Sequence, residues 1–193
     1  MLERRYRVDA LLARGGMSTV YRGLDTRLDR PVAIKVMDEQ YSGDRSFVQR
    51  FEREARAAAK LHHPDIVAVY DQGVDHGSDG DHVFLVMQLV EGCTLRDLIV
   101  DRGGQLPLPM ALSVIEPVLS ALDAAHRAEM VHRDVKPENV LIGSDGSVKV
   151  ADFGLVRAAA EAGTTSGSVI LGTAAYLSPE QVATGAADAR TDV

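Results

Sequence analysis

The chain has 193 residues, 46% hydrophobic and 25% charged, a balance that suits a soluble globular chain with ample core and excludes a disordered tail. Its formal net charge of −7 gives no general attraction to nucleic acid, and its single cysteine, Cys93, excludes an internal disulfide and fits a reducing compartment. No run of roughly 18 apolar residues stands out and the first residues lack the apolar core of a signal peptide, so no membrane span is expected and these residues are placed in the cytoplasm, leaving open an anchor beyond Val193.

In chain order, residues 8–13 and 20–25 are predicted strands flanking a glycine-containing turn, and 32–36 is a short β-prone run after Pro31. Residues 46–61 are predicted helical, because Phe47, Phe51, Ala55, Ala58 and Ala59 recur at helical spacing and Pro64 stops the run. Strands follow at 66–70 and 83–90, separated by a polar turn at 77–81. Residues 94–100 make a short helix and 110–128 a longer one. Leu112, Ile115, Leu119, Leu122 and Ala125 share one apolar stripe of the longer helix, and Pro117 should kink it or remove a backbone bond. Short strands at 140–142 and 148–150 come next, and the small polar stretch 158–168 has the composition of a mobile loop. The change from strand-rich to helix-rich near Gly92 divides the chain into 1–91 and 92–193.

Several segments carry chemistry. Ala13-Arg14-Gly15-Gly16-Met17-Ser18-Thr19-Val20 reads either as a hairpin turn or as a loop whose small residues let backbone N–H groups approach phosphate oxygens. Lys35 closes Val32-Ala33-Ile34-Lys35, and Glu54 on the following helix offers it a partner. Glu54 is preferred to Glu52 because it shares the helix face of Ala58 and Leu61. Met87-Gln88-Leu89-Val90-Glu91-Gly92 ends a strand. His132-Arg133-Asp134-Val135-Lys136-Pro137-Glu138-Asn139 is a charged, proline-containing octet between helix and strand, for which packing alone gives no account. Asp152-Phe153-Gly154 follows a strand directly, and Gly172-Thr173-Ala174-Ala175-Tyr176-Leu177-Ser178-Pro179-Glu180 comes last.

In this order and spacing, the motifs resemble those of protein-kinase catalytic domains from about Leu11 to the end of the chain. The resemblance implies an α+β, two-lobed kinase-like fold, with a five-stranded antiparallel N-lobe plus one helix and a mainly helical, incomplete C-lobe. It implies ATP and Mg²⁺, with Mn²⁺ as a substitute, and transfer of the γ-phosphoryl group to a protein hydroxyl. Asp134 would orient that hydroxyl and take its proton, Lys136 would offset charge on the transferred group, and Asn139 and Asp152 would hold the metal. Lys35, paired with Glu54, would hold the α- and β-phosphates. Leu12, Ala13, Gly15, Gly16, Ser18, Val20, Ala33, Met87, Gln88, Val90 and Leu141 would surround the nucleotide, although each apolar member also reads as plain core. Ala13 and Ser18 stand where the family usually has glycine, which implies a less pliant loop.

Lys136, two places after Asp134, and Thr173 resemble the Ser/Thr branch, with the Thr173 hydroxyl reaching Asp134 and Lys136. Phe153, His132, Ala58 and Val69 would form an apolar stack. Asp192 has the spacing of the aspartate that opens the next helix. Arg133, Arg50 and Arg157 would form a basic pocket for a phosphorylated activation loop, with Thr165 and then Thr164 as acceptors; the plain alternative is a set of solvated loop residues. Glu138 hints at basic substrate residues. The resemblance is nearest to eukaryotic-like Ser/Thr kinases of bacteria, with protein substrates, no nucleic acid, no membrane contact from this segment, and self-association for trans-autophosphorylation. The rival is a nucleotide-binding pseudokinase or interaction module, which loss of Lys35, Asp134, Asn139 or Asp152 would favour; all four are present. By resemblance about 70 further residues complete the domain, so this chain alone should expose apolar surface and show little activity.

Overall fold

The computed structural model describes residues 1–77, 80–153 and 174–193. Its backbone clusters into two units: Met1–Lys60 with Ala68–Leu89, and Leu61–Val67 with the described residues from Val90 onward. A single division at residue 91 therefore misses the excursion Leu61–Val67, which belongs with the later residues.

The first unit is built on an antiparallel five-stranded sheet of β1 (Tyr6–Arg14), β2 (Ser18–Asp25), β3 (Arg30–Met37), β4 (Val69–Gly77) and β5 (Gly80–Gln88), in the order β1-β2-β3-β5-β4. Central β3 and β5 carry the buried Val32, Ile34, Phe84 and Val86, which pack with Leu2 and Tyr6 from the start of the chain. The fourth strand begins at Val69 rather than at Ile66, because Ile66 instead bridges to Val150 in the second unit. A short helix α1 (Glu39–Ser42) precedes α2 (Arg45–Ala58). The Asp44 carboxylate caps α2, accepting from the N–H groups of Ser46 (2.8 Å) and Phe47 (3.3 Å). Phe47, Phe51, Ala55 and Ala58, spaced by four, four and three, are its buried residues. The helix ends at Ala58 rather than Leu61, since the chain turns before the His62-His63-Pro64 corner, where the residue preceding proline is pushed out of the helical region.

Beneath the start of this sheet lies a polar knot that the sequence did not announce. The Arg5 guanidinium forks onto Asp25 (3.0 and 2.8 Å) and reaches Asp71 (2.8 Å), and the Tyr6 hydroxyl donates to Asp71 at 2.5 Å. Asp25 is fully buried.

The second unit holds a three-stranded antiparallel sheet of β6 (Gly92–Thr94), β7 (Val140–Gly143) and β8 (Val148–Val150). Gly92 has a steric reason to be glycine, as a Cβ there would collide with the Ile142 carbonyl. Helix α3 (Leu95–Asp101) starts on a reciprocal cap between Thr94 and Asp97. Helix α4 (Leu108–Arg127) runs through Pro117, and α5 (Pro179–Thr184) is capped by Ser178 and ended by Gly185 in the left-handed region, at φ 69°. The excursion docks here: Val67 N–H donates to Val150 O (2.9 Å) and Val150 N–H to Asp65 O (2.8 Å).

Two expectations about α4 need correction. The single stripe through Leu112, Ile115, Leu119, Leu122 and Ala125 splits: Val114, Val118, Ala121, Leu122 and Ala125 are buried with Val140, Val148, Val150 and Phe153, whereas Leu112, Ile115 and Leu119 are exposed. Both rows are apolar and sit about 100° apart on a 3.6-residue helix, so periodicity alone could not choose between them. The 20 residues of α4 are also long and apolar enough to cross a membrane, contrary to the expectation that nothing here is. The buried row packs into the unit's own core, as in a core helix of a globular chain.

Candidate active site

The octet His132 to Asn139 follows α4 and is held by bonds within its own turn and from Ala151, Gln181 and Asp192. His132 is fully buried. Its Nδ1 accepts from the Asp134 N–H (3.2 Å), so Nε2 carries the hydrogen and donates to the Ala151 carbonyl (2.8 Å). Burial holds the imidazole below its ordinary range, against the Ala151 carbonyl and the Asp192, Asp134 and Asp152 carboxylates, so the ring is neutral. Its face meets the Phe153 ring at 4.6 Å. Asp192, also buried, accepts from the N–H groups of His132 (2.8 Å) and Arg133 (2.7 Å), and its Oδ2 lies 2.8 Å from His126 Nε2. These bonds fix the turn at Arg133, whose φ of 72° is in the left-handed region. Gln181 Nε2 secures the far side by donating to the Arg133 carbonyl at 2.9 Å.

Asp134 emerges from this frame. Lys136 Nζ (2.7 Å) and Asn139 Nδ2 (2.9 Å) both lie against its Oδ2. Asn139 Nδ2 also donates to the Asp134 carbonyl at 2.8 Å. Oδ1 of Asp134 is buried and, among the described residues, has no hydrogen-bond partner. A buried carboxylate oxygen without a donor is costly, and it is the natural acceptor for an incoming hydroxyl.

Asn139 closes a 3₁₀ turn (Pro137–Asn139), and its carbonyl accepts from the Ala151 N–H at 2.8 Å, which brings the backbone of Asp152 beside it. Asp152 itself sits at φ 65°, a strained setting for an aspartate. With Nδ2 committed to Asp134, the Asn139 amide oxygen faces away from it. This oxygen and the Asp152 carboxylate are hard donors. Among the described residues no cluster of three or more His, Cys, Asp or Glu could hold a metal on its own. One carboxylate and one neutral oxygen suit Mg²⁺, or Mn²⁺, carried largely by the phosphates of a nucleotide, so the residues fit that group.

In the first unit, Lys35 lies on β3 between Val20 and Leu85, half-buried. The Glu54 side chain is 14% exposed and has Arg53 at 3.4 Å, whereas Glu52, 31% exposed, pairs along the helix with Arg56 at 2.9 Å. Gly15 N–H donates to Ser18 O (2.8 Å), forming the turn between β1 and β2; Ala13 pairs with Val20, Gly15 and Gly16 are exposed, and Ser18 is buried. Leu12 is exposed, Val20 half-buried, and Ala33 and Met87 are buried register partners. Gln88 donates its N–H to Ala68 O (2.8 Å), so of its backbone groups only the carbonyl can serve a ligand. Arg50 has Nε and Nη2 buried without partners among the described residues. In the second unit Val90 and Leu141 are half-buried, and Arg133 Nε is likewise buried and unpartnered. Arg157, Thr164, Thr165 and Thr173 lie outside the described residues, as does the loop 158–168.

The sequence reading gave no role to Arg96. From α3, it places Nε 2.9 Å from Glu138 Oε1 and Nη2 against the Tyr176 hydroxyl, with its guanidinium 5.9 Å from the Tyr176 ring centre. Glu180 accepts from Thr191 Oγ1 at 2.9 Å.

A family profile described as the protein kinase domain matches residues 6–193. The serine/threonine-protein kinase PknL of Mycobacterium tuberculosis is 62% identical over 193 residues, covering all of this chain and 47% of that protein. PknB of Mycobacterium leprae is 45% identical, covering all of this chain and 31% of that protein. The chain thus spans about half the length of PknL, 47%, and less of PknB. Among solved structures, the PknI kinase domain of Mycobacterium tuberculosis matches with a TM-score of 0.78 at 31% identity, over 100% of this chain and 70% of that one. With the profile spanning nearly every residue and the protein-kinase fold recurring in PknI, the chain belongs to the protein kinase domain family.

Proposed function

We propose that the protein carrying this chain is a Ser/Thr protein kinase that transfers the γ-phosphoryl group of ATP to serine or threonine hydroxyls of protein substrates. The observation that carries the reading is the Oδ1 of Asp134, buried and without a hydrogen-bond partner among the described residues, beside Lys136 and Asn139. In this reading Oδ1 accepts the substrate hydroxyl and takes its proton as the oxygen attacks phosphorus in line. Lys136 offsets charge on the transferred group, and Asn139 and Asp152 hold Mg²⁺. Mg²⁺ held there would supply positive charge to offset that of the phosphates. Lys35, oriented by Glu54, holds the α- and β-phosphates. The backbone of 13–18 covers them, and Leu12, Val20, Ala33, Met87 and Leu141 enclose the base, with Gln88 and Val90 on its edge. Thr173 orients Asp134 and Lys136. We assign Met1–Lys60 with Ala68–Leu89 to an N-lobe, and Leu61–Val67 with the described residues from Val90 onward to part of a C-lobe, both on the cytoplasmic side.

The same reading extends to control. Arg50 Nε and Nη2 and Arg133 Nε are buried without hydrogen-bond partners among the described residues, as donors awaiting a phosphate would be. With Arg157 they would receive a phosphate on Thr165 or Thr164, added in trans by a second copy. No observation favours the pseudokinase alternative.

The test is transfer of labelled γ-phosphate from ATP to a generic Ser/Thr substrate by the full-length protein. D134N should lower kcat by about 10²–10⁴-fold while nucleotide binding, followed by thermal shift with MgATP, persists. D152N should lose the Mg²⁺-dependent part of that shift. Transfer by D134N at the parent rate would overturn the assignment.

A further inference from the structure

Glu138 lies in the same turn as Asp134, four residues on, and the bonds from Asn139 to Asp134 fold that turn tightly. A peptide presenting its hydroxyl to Asp134 rises about 3.3 Å per residue, so it passes Glu138 within a few residues of the acceptor. A bare carboxylate there would select arginine or lysine. Here it is not bare: Arg96 Nε donates to Glu138 Oε1 at 2.9 Å, and the side chains remain 36% and 44% exposed.

We infer that Arg96, held between Glu138 and Tyr176, is a specificity-determining residue that neutralises Glu138 and directs the kinase to acceptor peptides with an uncharged rather than a basic residue at this point. The inference rests on the kinase reading above and names its substrate class. It also replaces the expectation that Glu138 favours basic residues.

The charge balance supports it. Arg96 Nε lies 2.9 Å from Glu138 Oε1, so guanidinium and carboxylate offset each other and the pair sums to zero. The adjacent Lys136–Asp134 pair also sums to zero. An exposed ion pair on its own is weak and easily displaced. Arg96 has a second hold, because Nη2 donates to the Tyr176 hydroxyl and the guanidinium lies near that ring. A peptide arginine would have to displace a side chain anchored at both ends, by residues 42 and 80 positions away.

The experiment compares acceptor peptides, each carrying Arg, Ala or Glu at one position from three before to three after the acceptor. They are tested with the full-length protein and its R96A, E138Q and R96A/E138Q variants. The readout is the ratio of kcat/KM between peptides on one preparation, so partial misfolding cancels; peptide affinity by fluorescence anisotropy is measured alongside. The parent should show no preference for Arg beyond about twofold. R96A should acquire an Arg preference of about three- to fivefold at one position, the upper part of the range a single exposed pair supplies, and R96A/E138Q should lose it. If R96A does not fold, E138Q decides, and should acquire a similar preference for Glu because Arg96 is left uncompensated. A parent that already prefers Arg, with E138Q abolishing the preference, overturns the inference, and so does unchanged selectivity in both single variants. Failure of the parent to phosphorylate any peptide overturns the kinase reading instead, and the anisotropy ratios still decide whether Arg96 masks Glu138.

Discussion

Asp25 and Asp192 are both buried carboxylates, and each organises residues far from it in sequence. Asp25 receives the Arg5 fork, and its carboxyl is held well below the usual range, chiefly by that hydrogen bond. Removing one partner of a buried pair leaves the other uncompensated. D25A should therefore lower stability by about 3 kcal/mol, at the low end for such a break because Arg5 keeps Asp71 and some solvent. Urea unfolding at pH 7 checks this. A depressed carboxyl pKa gives stability that is complete above about pH 4, the unfolded value, and lost as pH falls through the folded value, so the difference between parent and D25A should shrink on acidification. Asp192 touches no proposed substrate group, yet it receives the N–H groups of His132 and Arg133 directly before Asp134. D192A leaves those donors buried and unmet, and should reduce phosphoryl transfer by at least tenfold while ATP affinity changes little. D192N keeps one acceptor oxygen and should fall between. Equal activity in parent and D192A would show that the loop holds its shape without this carboxylate.

Secondary elements differ in how openly the sequence declares them, and α4 shows why. Helix α2 was legible because its apolar residues form one row and its opposite face is charged. Helix α4 carries two apolar rows, and only the fold decides that Val114, Val118, Ala121 and Ala125 go inside. L122A, in a side chain 2% exposed, should cost about 2–4 kcal/mol, whereas L119A, 46% exposed, should change the stability of this chain by under about 1 kcal/mol. Denaturant midpoints of the two variants test the assignment; the reverse order would mean the helix is rotated by about one residue. Strand β6, three residues long, is too short for alternation to register. The octet around Asp134 was legible because its chemistry is contiguous. Arg96 was not, and Asp192 was read only by its spacing, not by its bonds to His132 and Arg133, since the partners of these two residues lie 42 and 60 residues away. The knot of Arg5, Asp25 and Asp71 escaped for the same reason, its members being 20 and 66 residues apart.

Across the whole molecule, these buried groups sort by unit, and acid should separate them. His132 belongs to the second unit and is neutral because burial outweighs its attraction to nearby carboxylates. A histidine whose folded pKa is depressed binds its proton more readily when unfolded. The stability it gives is complete above about pH 6.5, the unfolded value, and is lost as pH falls toward the folded one, by at most about 1.4 kcal/mol per pH unit for one proton. Asp25 belongs to the first unit, and its contribution begins to fade only near pH 4. On acidification from pH 8, amide protection should therefore fall first in residues 130–153, between pH 6.5 and 5, while β1 to β5 stay protected until the carboxylates titrate. Hydrogen exchange read by mass spectrometry at several pH values, corrected for intrinsic rates, reports both segments in one sample. Replacing His132 with asparagine removes the titrating ring, so H132N should begin less protected at pH 8 but lose little more down to pH 5. Strands that open at the same pH as residues 130–153, or an H132N response as steep as the parent's, would mean that some group other than His132 governs the first acid step.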